Sequence, residues 1–182
     1  GTLNLKMERV DLSAAIESVV AGHLSSADTA HVNTSRAPWS SYCRADSFRV
    51  RQILRNLVTN ATRYGGDEIW MDVDQRESTV VITVADNGPG IPDGHEDLIF
   101  EPYGRVESGR VEPASVGLGL AVARQLAQLM NGELDYLRIA NHTEFRLTLP
   151  RDQLGAATHT LPASSRSEPA IQPAIAASWH HY

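Results

Sequence analysis

Three clusters in this chain have residue types and spacings that could do chemistry. The first is Asn56 and Asn60, one helical turn apart, with Arg63 three residues further on. At about 100° per residue the three fall on one narrow strip of a helix, with Gln52 near them. Amides bordering an apolar face are costly unless they have partners. Either they bond neighbouring loops or they face a ligand, and the pair alone does not separate the two. The second cluster is Asp86-Asn87-Gly88-Pro89-Gly90-Ile91. Glycines at 88 and 90 let the backbone turn sharply and approach a ligand closely. An ionised carboxylate only accepts hydrogen bonds. Asp86 at a strand end could therefore hold an exocyclic amine such as that of adenine, whereas the guanine carbonyl would be repelled. The bland alternative is an Asp-Asn-Gly turn closing a hairpin. The third cluster, Ser115-Val-Gly-Leu-Gly-Leu120, leads into a helix, whose N-terminal N–H groups and dipole suit an anion. It lacks the Gly-Lys-Ser/Thr of a P-loop, and no Gly-x-Gly-x-x-Gly opens a βαβ unit.

These clusters need elements to hold them. Val50, Ile53, Leu54, Leu57, Val58 and Ala61 recur every three or four residues between Phe48 and Tyr64, the pattern of an amphipathic helix. Asp46 is its expected N-cap, and Gly65-Gly66 its C-terminal glycine signal. Asp11 should cap an earlier helix reaching about His23. Residues 1–10 read as a linker or short edge strand in which Leu3, Leu5 and Met7 alternate, and 24–45 as one or two short strands. Glu68–Asp74 and Thr79–Ala85 predict an antiparallel hairpin. Residues 86–116 are rich in glycine and proline with little periodicity; so long a loop in a compact domain is usually functional. A helix over Gly117–Met130, closed by Asn131-Gly132, precedes strands at Glu133–Arg138 and Thr143–Leu149. From Arg151 the chain is rich in Ala, Ser and Pro and reads as a tail or linker, 151–182, after a domain over 1–150. Helices and paired strands in this order predict an α+β class, a mixed sheet covered on one face by helices.

The 182 residues suffice for one domain with a real core, and 42% hydrophobic with 21% charged residues is ordinary for a soluble globular protein. A net charge of −6 gives no electrostatic reason to expect nucleic acid or an anionic membrane surface. One cysteine, Cys43, excludes an internal disulfide and suits a reducing compartment. No apolar run approaches the roughly 20 residues needed to span a bilayer. The expectation is a cytoplasmic segment excised from a longer protein, with membrane anchoring of the parent left open.

The boxes occur in one order: Asn56-x-x-x-Asn60-Ala-x-Arg63-Tyr64, Asp86-x-Gly88-x-Gly90-Ile91, Phe100-Glu-Pro-Tyr103 with Arg105 after it, and Gly117-Leu118-Gly119-Leu120. Together they resemble the ATP-binding catalytic domain of sensor histidine kinases, within the superfamily that also holds gyrase, Hsp90 and MutL ATPases. The resemblance covers residues 3–150 and implies a two-layer α/β sandwich, the Bergerat ATP-binding fold, with ATP and Mg²⁺ as cofactors. It implies that Asn60 ligates Mg²⁺, that Asn56 supports the metal or phosphates, and that Arg63 and Arg105 meet the terminal phosphates. Asn60, Arg63 and Arg105 would thus be catalytic. Tyr64 would pack on the nucleotide, and Asp86 would hold the adenine amine in a pocket shaped by Gly88, Gly90 and Ile91. Gly117, Leu118, Gly119 and Leu120 would approach the triphosphate, and 92–116 would form an ATP lid.

Two departures from the family pattern stand out. Position 115 is Ser where the family writes Gly, which should stiffen the lid hinge. Ile139-Ala-Asn-His-Thr143 replaces a glycine-rich hairpin, with only structural consequences expected. None of the seven histidines has the context of a phosphoacceptor. His180 and His181, adjacent and without a third ligand, are not read as a metal site. The resemblance therefore implies transfer of the γ-phosphate to a histidine on a separate dimerisation domain, with a response regulator downstream. The alternatives are an anti-sigma type serine kinase on the same fold, and a non-catalytic nucleotide-binding module.

Overall fold

The computed structural model describes residues 4–24, 31–34, 41–102 and 117–153. Its elements in order are β1 (Glu8–Asp11), α1 (Leu12–Leu24), β2 (His31–Thr34), β3 (Tyr42–Ala45), α2 (Ser47–Tyr64), β4 (Glu68–Gln75), β5 (Thr79–Asp86), a 3₁₀ turn (Leu98–Phe100), α3 (Gly119–Leu129), β6 (Glu133–Ile139) and β7 (His142–Pro150). Five strands form one mixed sheet in the order β2-β4-β5-β7-β6; β2 lies parallel to β4 and the other pairs are antiparallel. A separate antiparallel pair joins β1 to β3.

Strand alternation divides the sheet into two faces. Ile69, Met71, Ile82, Val84, Phe145, Leu147 and Leu134 point to one side and are buried. Across the strands they line up in rows, Met71–Val84–Phe145–Tyr136 and Val73–Ile82–Leu147–Leu134. This is the face that α2 and α3 cover, α2 against β4 and β5, α3 against β6 and β7. The other face carries Asp72, Asp74, Thr83, Arg146 and Glu144, the last two joined by a 2.7 Å ion pair. The α+β, one-face-covered architecture expected from the sequence is therefore the one observed.

The central helix α2 is anchored at both ends. Val50, Ile53, Leu54, Leu57, Val58 and Ala61 are its buried residues, and each large aliphatic side chain contributes about 1.5–3 kcal/mol by burial. Asp46 caps it with Oδ1, which accepts from Phe48 N–H at 3.0 Å and Arg49 N–H at 3.1 Å. Its Oδ2 accepts from Lys6 N–H at 2.9 Å, which ties down the N-terminal segment. Burial pushes the Asp46 carboxyl pKa up, but these three N–H groups and the Arg49 charge outweigh it and hold the pKa below the ordinary value.

The short strand expected within residues 1–10 forms at its end, Glu8–Asp11, where Tyr42–Ala45 is its partner, and Leu5 and Met7 pack on the core. Two local expectations are corrected. The last helix starts at Gly119, two residues late, since Gly117 has φ +67°, a left-handed conformation no α-helix accepts. Gly65 ends α2 with φ −77° and ψ −170°, not in the left-handed region its glycine suggested. Asp11 does cap α1, accepting from Ser13 and Ala14 N–H.

Candidate functional site

The site begins where β5 ends. Asp86 is the last residue of that strand and is 4% exposed. In register it lies between Ile69 of β4 and Thr143 of β7, and Thr143 in turn faces Arg138 of β6. Asp86, Thr143 and Arg138 thus form a polar row at the end of an otherwise apolar face. Gly88 N–H donates to Asp86 Oδ1 at 2.9 Å, and the Thr143 hydroxyl bonds the same carboxylate. Arg138 Nη1 donates to Gly88 O at 2.8 Å and to Thr143 Oγ1 at 3.0 Å. Burial is the largest influence on Asp86 and pushes its pKa above the ordinary carboxylate value. The Gly88 N–H, the Arg138 charge, the Thr143 hydroxyl and His142 pull the other way without cancelling it. The chain goes on from Asp86 to the Leu98–Phe100 turn, so Asp-Asn-Gly does not close a hairpin.

Glycines let this corner close. A Cβ on Gly65 would run into Ala61 O and sit 2.8 Å from Asp86 Cγ, and one on Gly88 would meet Gly65 and Asp86 Oδ1. Gly65 is needed for space, so that the end of α2 can lie against the end of β5. Asn87 fastens the same junction, its Nδ2 donating to Asp67 Oδ1 at 2.9 Å and its Oδ1 accepting from Glu68 N–H at 3.2 Å. Gly90 has φ +76°, and a Cβ there would meet Arg138 Nη1 at 2.9 Å. Ile91 N–H donates to Tyr136 Oη at 3.0 Å.

The asparagine strip runs from this corner toward α3. Asn56 is half-buried, and its Nδ2 donates to Gly119 O at 3.1 Å, joining α2 to the first residue of α3. The loop-bonding alternative thus holds for one amide of the pair. Asn60 is half-buried, Arg63 is exposed and Tyr64 is 57% exposed. Leu118 occupies the N-cap position of α3 and supplies no side-chain hydrogen bond there. Leu118 thus leaves the N–H groups of the first turn without a cap from the N-cap side chain, an arrangement suited to an anion. Gly119 is not required for space, because a Cβ there would stand 3.8 Å from Asn56 Cγ.

Phe100 lies within the 92–116 segment expected to be a lid and packs on the domain. Its ring lies 6.4 Å from that of Phe145 and 4.3 Å from the Arg124 guanidinium. Tyr103, Arg105 and Ser115 lie outside the described residues. Among the described residues no group of three or more His, Cys, Asp or Glu could hold a metal ion. A cation held by this strip would draw on an amide oxygen, phosphate oxygens and water, a donor set that suits Mg²⁺.

Sequence reasoning missed Thr143, Arg138, Tyr136 and Asn87. A signal for Thr143 was present, since it shares parity with Phe145, Leu147 and Leu149 along β7 and so had to point inward. Parity likewise puts Arg138 on the face of Leu134 and Tyr136.

A helix-covered mixed sheet with a buried carboxylate at a strand end and an open helix N-terminus defines a nucleotide-binding α/β sandwich. The family of histidine kinase-, DNA gyrase B- and HSP90-like ATPases matches residues 45–153, and the chain belongs to that family. It is 34% identical over 157 residues to the sensor histidine kinase MtrB of Mycolicibacterium paratuberculosis, covering 82% of this chain and 27% of that protein. It is 30% identical over 156 residues to the histidine-protein kinase AfsQ2 of Streptomyces coelicolor, covering 84% of this chain and 28% of that one. The chain therefore spans little more than a quarter of these relatives. The catalytic domain of histidine kinase ThkA superposes with a TM-score of 0.68 at 22% identity, over 81% of this chain and 97% of that one. The mycobacterial sensor histidine kinase MprB gives 0.67 at 23%, over 80% and 98%. The chain is thus similar in sequence to sensor histidine kinases and shares the fold of histidine kinase catalytic domains. No helix among the described residues is long and apolar enough to cross a membrane.

Proposed function

We propose that this chain binds Mg-ATP and donates the γ-phosphate to a histidine on a dimerisation domain of its parent protein, in two-component signalling. The observation that carries the reading is the Asp86 corner: a buried carboxylate, fixed by Gly88 and Thr143, at one end of the strip that leads to the N-terminus of α3. Adenine would place its amine on Asp86, between Gly88, Gly90 and Ile91. The triphosphate would run along Asn56, Asn60 and Arg63 toward the N–H groups following Leu118. There the uncapped first turn of α3 supplies donors and a favourable dipole.

Asn60 would hold Mg²⁺ through its amide oxygen, and the ion supplies charge neutralisation on the phosphates when bound. Arg63, exposed at the end of α2, would reach the terminal phosphate. Arg105, from the segment 92–116, would add a second guanidinium as that segment closes as a lid. Phosphoryl transfer depends mainly on positioning and charge stabilisation, and the work of this domain is to hold the γ-phosphate toward an incoming imidazole. The domain would run over 1–150, with 151–182 as a tail. A response regulator would take the phosphate onward, and the segment would act in the cytoplasm.

The test is to mix the chain with its own dimerisation domain and radiolabelled ATP. Acid-labile phosphohistidine on the partner is expected, and its absence sinks the kinase reading. With Asn60→Ala, Mg-ATP binding should be lost while the fold persists. Unchanged affinity would show the metal assignment to be wrong.

A further inference from the structure

We propose that Tyr136 and Arg138, on the edge strand β6, are positioning residues that hold the Gly88–Ile91 loop in the shape by which Asp86 selects adenine. The inference rests on the reading of Asp86 as the purine contact. It adds to that reading the part of the fold that sets the loop.

The two side chains stand two residues apart on one face of β6, and each holds a different end of the loop. Arg138 Nη1 donates to Gly88 O at 2.8 Å, at the start. Tyr136 Oη accepts from Ile91 N–H at 3.0 Å, at the finish. Between them lie Pro89, which has no N–H to give, and Gly90 at φ +76°. Such a stretch carries little hydrogen bonding of its own, so its course depends on these outside partners.

Both partners are themselves held. The Tyr136 ring lies 5.5 Å from the Phe145 ring within the buried row of the sheet. Arg138 also donates to Thr143 Oγ1 at 3.0 Å, and Thr143 bonds Asp86. One guanidinium nitrogen thus sets both the loop carbonyl and the hydroxyl that orients the carboxylate. A base is read by the direction of acceptors. A loop displaced by a fraction of an ångström would therefore lose discrimination between adenine and guanine before it lost the phosphates, which are held on α2 and α3.

The test uses the full 182-residue chain, with affinities for Mg-ATP and Mg-GTP measured by calorimetry and amide exchange followed by NMR. Tyr136→Phe keeps the ring and removes the hydroxyl. Exchange at the Ile91 amide should quicken and ATP affinity should fall, each roughly three- to tenfold. Arg138→Met should weaken ATP about tenfold or more while GTP changes little, so that selectivity falls. Arg138→Lys keeps a charged donor on a shorter stem and should recover part of the loss. A general loosening of the fold would instead weaken both nucleotides alike and show no rescue by lysine. ATP and GTP affinities within twofold of wild type in both Tyr136→Phe and Arg138→Met, with Asp86→Asn still damaging, would overturn the inference alone. Should Asp86→Asn also leave ATP binding intact, the purine reading falls and takes this inference with it.

Discussion

Replacing Asp86 by asparagine changes one polar atom at the centre of the proposed purine site, and the structure fixes how the new side chain must sit. Gly88 N–H occupies Oδ1 at 2.9 Å, so the amide oxygen of the introduced asparagine would be held there and its NH₂ would take the place of the second carboxylate oxygen. An adenine amine arriving at that point would meet a donor instead of an acceptor. A hydrogen bond to a charged group contributes about 1.5–3 kcal/mol, and an unpaired buried donor costs about 1–3 kcal/mol. Either effect alone, at about 2–3 kcal/mol, weakens ATP roughly 30- to 150-fold, and the two together weaken it further. GTP, which offers a carbonyl at that position, should lose much less or gain. Calorimetric titration of wild-type and D86N chains with Mg-ATP and Mg-GTP reads this directly.

The same substitution should not destabilise the empty domain at neutral pH. Burial raises the Asp86 pKa, so the folded state holds that proton more tightly than the unfolded chain does. Its stabilising effect is complete below the ordinary carboxylate pKa and is lost as pH rises through the raised value. Wild-type stability should therefore carry a component that declines over this window, and D86N should lack it. ATP binding should run the opposite way, falling as acid protonates Asp86 in the presence of Arg138 and His142. ATP affinity in D86N within twofold of wild type would show that Asp86 does not hold the adenine amine.

Three further outcomes follow from the geometry. Gly65→Ala forces a Cβ into Ala61 O and Asp86 Cγ; a loss of about 1–3 kcal/mol in denaturant unfolding is expected, together with weaker ATP binding. Unchanged stability would show that the α2–β5 junction has slack. Ala140 closes the β6–β7 turn at φ +50°, where an L-residue is strained by about 1–2 kcal/mol and glycine is not. Ala140→Gly should thus raise stability by up to about 1 kcal/mol after the entropic cost of glycine, as read by chemical denaturation. Cys43 is buried with its thiol pKa pushed up to about 12 by burial. A thiol reagent at mildly alkaline pH should leave it untouched until the protein unfolds, and rapid labelling of the native chain would contradict its placement.

What could be read from the sequence was what depends on local periodicity. The buried face of α2, its Asp46 cap and the strand ending at Asp86 all follow from residues close together in the chain. The role of Gly65 did not, because the atoms it must clear include those of Asp86, which the fold brings in from a different strand. Glycine at a helix end has two physical uses, left-handed φ and close approach, and only the second applies here. Arg138 looked like an ordinary polar residue of a terminal strand, and its contacts with Gly88 and Thr143 depend on pairing register. The start of α3 was misplaced for a local reason, the positive φ of Gly117. Asn56 follows the loop-bonding alternative, since its amide bonds Gly119 O across a separation of the chain that periodicity does not reveal.

In the proposed complex one nucleotide bridges the Asp86 corner and the N-terminus of α3 along the Asn56–Arg63 strip. Titrating Mg-ATP into the isotope-labelled chain and following its amide resonances tests this most directly. Saturable shifts are expected at Gly88–Ile91, at Leu118–Ala121 and at the Asn56 and Asn60 side-chain amides, with the Asn60 shift dependent on Mg²⁺. Shifts confined to the outer face of the sheet, around Asp72, Thr83 and Arg146, or none at millimolar nucleotide, would contradict it.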